Sequence, residues 1–99
     1  MKFNLNDYKG NYAMHCKTEE EAENFCRFLG LNGRRWKDGT SYLEDNMWCL
    51  HERDTVYCFN EGAFCDIEYA RHINYGILEW SDFMKDSEIV SEFTVTQHK

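Results

Sequence analysis

Proline is absent from these 99 residues, and glycine occurs only six times. No Pro-, Gly- or Ser-rich stretch divides the chain, so one domain over 1–99 is expected, with 85–99 as an extension or edge strand. No apolar run reaches the ~18–20 residues that a membrane span needs. The opening MKFNLNDYKGNYAMHC has no apolar stretch of the kind a secretory signal carries. Basic charge is scarce, with 11 Lys and Arg against 18 Asp and Glu, a formal net charge of −7. Missing too are any Cys-x-x-Cys pair and any Gly-rich phosphate loop of the G-x-x-x-x-G-K type. Together these absences argue against a membrane protein, against non-specific nucleic-acid binding and against a zinc knuckle.

What the chain does have is rings. Seven Phe, six Tyr and three Trp make 16 % of it aromatic, which a disordered acidic chain rarely carries. A folded domain is expected. Its five cysteines, an odd number without an export signal, point to free thiols and a cytoplasmic protein. The acid is uneven. Residues 1–50 hold seven basic and eight acidic groups, a net of −1, and residues 51–99 hold four and ten, a net of −6. Such a surface repels phosphate backbones and suits basic protein partners.

Tyr12 to Cys16 alternates as a strand, with Tyr12, Met14 and Cys16 on one face. Thr18-Glu19-Glu20-Glu21 matches a capping box. Ala22, Phe25, Cys26 and Leu29 then form the apolar stripe of a helix, closed by Gly30 or Gly33 with Asn32. Arg34-Arg35-Trp36 reads as a short strand and Lys37-Asp38-Gly39 as a turn. Residues 40–54 are ambiguous, with Met47 to Leu50 open to a strand reading. Residues 55–65 read as a hairpin around Asn60-Glu61-Gly62. Asp66 caps a second helix from Ile67 to about Asn74. Ile77 to Trp80 reads as a core strand, Ser81 to Met84 as a turn, and Ile89 to Thr96 as β-branched alternation. The expectation is an α+β fold, β-α-β-β-β-α-β with an additional C-terminal strand: a small, mainly antiparallel sheet with two helices over one face.

Two segments, YAMHCKTEEEAENFCRFLGLNGRRW and YCFNEGAFCDIEYARHINYGILEWSDFM, carry a resemblance. With a strand of the YAVHC kind, an acidic capped helix, an aromatic strand and a closing Y-x-I-[LI]-E-[WF]-x-D strand, the chain resembles small uncharacterised proteins of Firmicutes phages, prophages and mobile elements. The likeness spans roughly residues 11–84. It implies a compact, non-enzymatic binding domain acting in a bacterial host cell. Phage proteins of this size block defence proteins or sequester nucleotide immune signals. No catalytic motif comes with the resemblance.

Candidate chemistry is sparse. Cys49, His51, Cys58 and Cys65 could supply metal ligands, but without the short-spaced pair no metal or cofactor is expected. A nucleophilic Cys paired with His15, His51 or His72 lacks any enzyme signature, and His15 and Cys16 point to opposite faces of a strand. Glu79 and Asp82 are a weak carboxylate pair. Two binding surfaces remain. Asp45, Trp48, Glu52 and Asp54, with Glu44, form an acidic and aromatic rim suited to a defence protein with a basic surface. Alternatively, Arg34, Arg35 and Trp36 would grip a nucleotide through phosphate and base, with Arg34 and Trp36 sharing one strand face. An exposed tail strand would also permit a homodimer by edge pairing.

Overall fold

The structure, a computed structural model, describes residues 3–84. Its first strand, β1 (Tyr12–His15), is short and central, and Ala13 and Met14 on its two faces are both buried. The chain then enters α1 (Glu19–Leu31) through Thr18, whose hydroxyl accepts from the Glu21 amide at 3.1 Å. The Glu21 carboxylate reaches back to the Lys17 amide, so the acidic cap satisfies the amides that a helix start leaves unpaired. Ala22, Phe25, Cys26 and Leu29 are buried, as the stripe requires. The helix ends on Gly33 in the left-handed conformation (φ +77°), with the Arg34 amide donating to the Leu29 carbonyl at 2.9 Å and the Gly33 amide to Gly30. These are the paired bonds of a Schellman motif.

That motif redirects the chain, and Arg34-Arg35-Trp36 does not become a strand. Among the described residues its β-pairing is one bridge, Arg35 with Ser41. The Trp36 amide donates to the Thr40 carbonyl and the Gly39 amide back to Trp36, a local loop in place of a sheet ladder. Met47 to Leu50 is not a strand either. Met47 takes a left-handed φ of 59°, and α2 (Trp48–His51) follows, continued by a 3-10 turn over Glu52–Asp54.

β2 (Thr55–Cys58) and β3 (Ala63–Asp66) form the expected hairpin, with Tyr57 opposite Phe64. At the hairpin turn Gly62 has φ +68°, and a Cβ there would come within 2.5 Å of the Lys37 amide nitrogen. Only glycine fits that approach. The Gly62 carbonyl accepts from Lys37 at 2.9 Å, tying the loop after Trp36 to the hairpin. Asp66 caps α3 (Ile67–His72), its carboxylate accepting from the Tyr69 amide at 2.8 Å. β4 (Gly76–Glu79) pairs parallel with β1, Tyr12 opposite Gly76 and His15 opposite Glu79. Trp80 does not extend β4. It opens α4 (Trp80–Met84), where a turn was expected.

The result is an α+β domain with a four-stranded sheet in the order β3-β2-β1-β4, antiparallel except for β1–β4. Helices cover both faces of this sheet, and not one as expected. Alternation in β1 and β2 sends Met14 and Tyr57 to one side, with Phe25, Leu29 and Trp80 of α1 and α4. Ala13, Val56 and Cys58 go to the other, under Ile67 and Ala70 of α3. The larger core is ring-rich, with Phe25 and Trp80 centroids 4.8 Å apart. No helix of the described residues is long and apolar enough to cross a membrane. The expected C-terminal strand, and with it any tail-mediated dimer, falls on 85–99, outside the described residues.

Candidate functional site

Between α1 and β2 lies a segment, residues 34–54, with little repeating structure. Aromatic side chains tie it to the core by donating to backbone carbonyls in and beside it. The Trp36 indole donates to the Asp45 carbonyl at 2.8 Å, and the Tyr57 hydroxyl to the Asn46 carbonyl at 2.5 Å. The Trp48 indole donates to the Cys16 carbonyl at 3.1 Å, and the Thr55 hydroxyl to Trp48. Short polar side chains do the rest locally. Ser41, Asp45 and Asn46 each accept from the amide two residues on, at 3.0, 2.9 and 2.9 Å. Asp38 accepts from the hydroxyl and the amide of Thr40, which hold its carboxyl below the usual carboxylate range.

The far end of the segment is fastened through His15. Its Nδ1 lies 2.8 Å from the Glu79 carboxylate and its Nε2 lies 2.6 Å from the Arg53 carbonyl. The ring is fixed between these two partners. β1, β4 and the 3-10 turn are thus joined through one side chain.

Over this frame residues 43–54 display two leucines and four acids. Leu43 is 62 % exposed and Leu50 61 %. Glu44, Asp45, Glu52 and Asp54 are all exposed. Leu43 lies over Gly30, where a Cβ would stand 2.9 Å from its Cγ, so the glycine inside α1 makes room for it. Asp45 sits at the Trp36 end of the segment and Glu52 and Asp54 at the His15 end, with α2 between them. Trp48 is half-buried, its ring packed against the larger core. The two leucines were not singled out from sequence, since an apolar residue in an irregular stretch carries no periodic sign of its exposure.

The residues of the nucleotide alternative are placed differently. Trp36 is buried against Tyr42, ring centroids 4.3 Å apart, and against Phe64 at 5.7 Å. Arg34 is half-exposed, and Arg35 points its guanidinium to the Gly39 carbonyl at 3.1 Å. An apolar groove of 350 Å³ beside Trp36 is lined by Met47, Ala63 and Phe64, but by neither arginine.

The thiols are mostly interior. Burial pushes Cys16 well up, and raises Cys26 and Cys58 to about 12, which keeps all three protonated near neutrality. Tyr57 and Tyr42 are raised as well, burial being the first cause. Cys49 is exposed. His15, the histidine next to Cys16 in sequence, is engaged by Glu79 and Arg53. Among the described residues no three His, Cys, Asp or Glu side chains gather as metal ligands would. Compared with protein families, with curated proteins and with solved structures, the chain matches none of them.

Proposed function

We propose that this chain is a non-enzymatic binding protein of phage type that inhibits a bacterial anti-phage defence protein through segment 43–54. The observation that carries the reading is the combination of order and exposure in that segment. The side chains of Trp36 and Tyr57 donate to its carbonyls, and its own Trp48 indole donates to the Cys16 carbonyl, which together hold it to the core. Leu43 and Leu50 face outward among four carboxylates. A surface held in one shape loses little conformational freedom on binding, which favours affinity. Its acids steer a basic partner to it, and its leucines supply apolar contact. The nucleotide alternative draws less support, because Trp36 is committed to the core and leaves little of its ring for a base.

Phage plaquing on bacteria that carry individual defence systems tests the reading, in cells expressing the wild-type chain or the triple variant D45N/E52Q/D54N. Asn at 45 keeps the side-chain oxygen that accepts from Met47, so the fold is preserved. The wild type restores plaquing against one system and the triple variant does not. Equal rescue by both would refute the acidic surface, and loss of rescue in Arg34→Ala alone would favour the nucleotide alternative.

A further inference from the structure

The β2–β3 hairpin brings two thiols together. Cys58 stands opposite Ala63 and Cys65 opposite Val56, so the two cysteines are diagonal neighbours across the strands. Opposite and alternate residues share a sheet face, and both cysteines face the smaller core under α3. Cys58 is buried there and Cys65 half-buried, which leaves the pair reachable from the surface at Cys65. The Cys58 thiol donates to the Cys65 sulfur, and neither is in a disulfide. Tyr75 packs on the same core, and its hydroxyl donates to the Glu61 carboxylate at 2.8 Å. The two acids near the thiols are thus engaged, Glu61 by Tyr75 and Asp66 by the Tyr69 amide it caps.

We propose that Cys58 and Cys65 together bind one soft monovalent cation of the copper(I) class as a two-coordinate bis-thiolate. Spacing favours an ion over a disulfide. Diagonal neighbours of an antiparallel pair stand about 7–8 Å apart, whereas a disulfide spans about 4.4–6.8 Å between Cα atoms. A direct sulfur–sulfur bond would have to shift the strands, and an ion between the sulfurs lengthens the link instead. Ligand number selects the ion. Zinc takes four ligands and calcium or magnesium take oxygens, and among the described residues no third ligand joins the pair. Soft thiolates favour copper(I), which two of them satisfy. On binding, both S–H bonds break, two sulfur–copper bonds form and two protons pass to solvent, with no change of oxidation state. The site uses no residue of segment 43–54, so it goes beyond the inhibitory reading and does not rest on it.

Copper(I) itself is the probe, supplied without oxygen as its acetonitrile complex to the full chain carrying Cys49→Ser, which removes the exposed thiol. Bicinchoninate serves as the competing chelator. The expected result is one ion per chain, an ultraviolet sulfur-to-copper band and release of two protons. The melting temperature rises on the order of ten degrees at about 100 times the dissociation constant. Cys65→Ser and Cys58→Ala, each added to Cys49→Ser, abolish both the band and the rise. Cys65 is half-buried, so its serine variant keeps a cooperative melt without copper, which separates loss of the ion from loss of the fold. Binding unchanged in either variant, or no uptake once Cys49 is replaced, would overturn the site. Equal displacement by zinc would overturn the class of ion. A Cys58–Cys65 disulfide that closed readily with oxidised glutathione would also overturn it, since thiols that near each other need no bridging ion.

Discussion

Residues 11–33 and residues 34–54 are close in length and built by different means. The first stretch is a strand paired with β2 and β4 and a helix paired within itself; the helix buries one stripe at a period of about 3.6, and the central strand is buried on both faces. The second has one β-bridge, a helix of four residues and a 3-10 turn, and it is held by bonds between side chains and backbone carbonyls, some within it and some to the rest of the chain. Trp36 reaches nine residues on to Asp45, Tyr57 reaches back to Asn46, and Trp48 reaches back to Cys16. Backbone-paired structure hides its polar groups and leaves one face for the core. Side-chain-held structure leaves acids and leucines outside, which is what a binding surface requires.

The contrast can be broken most severely from the regular side. Trp80→Ala removes a fully buried ring against Phe25 and Phe3. It is expected to cost about 3–5 kcal/mol, seen as a large drop in the denaturation midpoint with both regions lost together. If the irregular segment kept its chemical shifts after that loss, the two regions would not share a core. Tyr57→Phe acts from the other side. It leaves the Asn46 carbonyl unmet, costs roughly 1 kcal/mol and loosens 43–50 in preference to α1. A variant as stable as the wild type, with unchanged 43–50 resonances, would show that the hydroxyl bond does not hold the segment.

A smaller effect comes from the thiols. Burial raises Cys26 and Cys58 to about 12 in the folded chain, while unfolded thiols titrate near 8.5. The folded state thus keeps protons that the unfolded state gives up. Stability from this source is whole below about pH 8.5 and declines as pH rises toward 12. Melting temperatures are expected to hold level between pH 7 and 8 and to fall steadily above pH 9. A level profile to pH 11 would contradict the burial of these thiols.

Legibility followed the same division. The acidic cap at Thr18, the buried stripe of α1, the hairpin at 55–65 and the Asp66 cap all rest on short-range spacing, and the structure shows each of them. The Arg34–Trp36 strand did not form, because the Schellman turn at Gly33, itself legible as a C-cap, redirects the chain, and the indole turns inward to Tyr42, Asp45 and Phe64, whose positions no local pattern fixes. Trp80 was legible as core but not as the start of a helix. Helices over both faces, too, follow from a parallel β1–β4 pairing that no local pattern announces. Of the candidate surface, the acids were visible as charge in sequence. The exposed leucines emerge only once the loop folds over α1.

Amide hydrogen exchange of the free chain across residues 42–54 tests most directly whether that segment is a surface held ready for a partner. The account predicts slowed exchange at Met47, Trp48 and Leu50, whose amides bond Asp45, Asn46 and the Met47 carbonyl, and faster exchange there in Tyr57→Phe with α1 unchanged. Exchange at the unprotected rate throughout 42–54 in the wild type would contradict it.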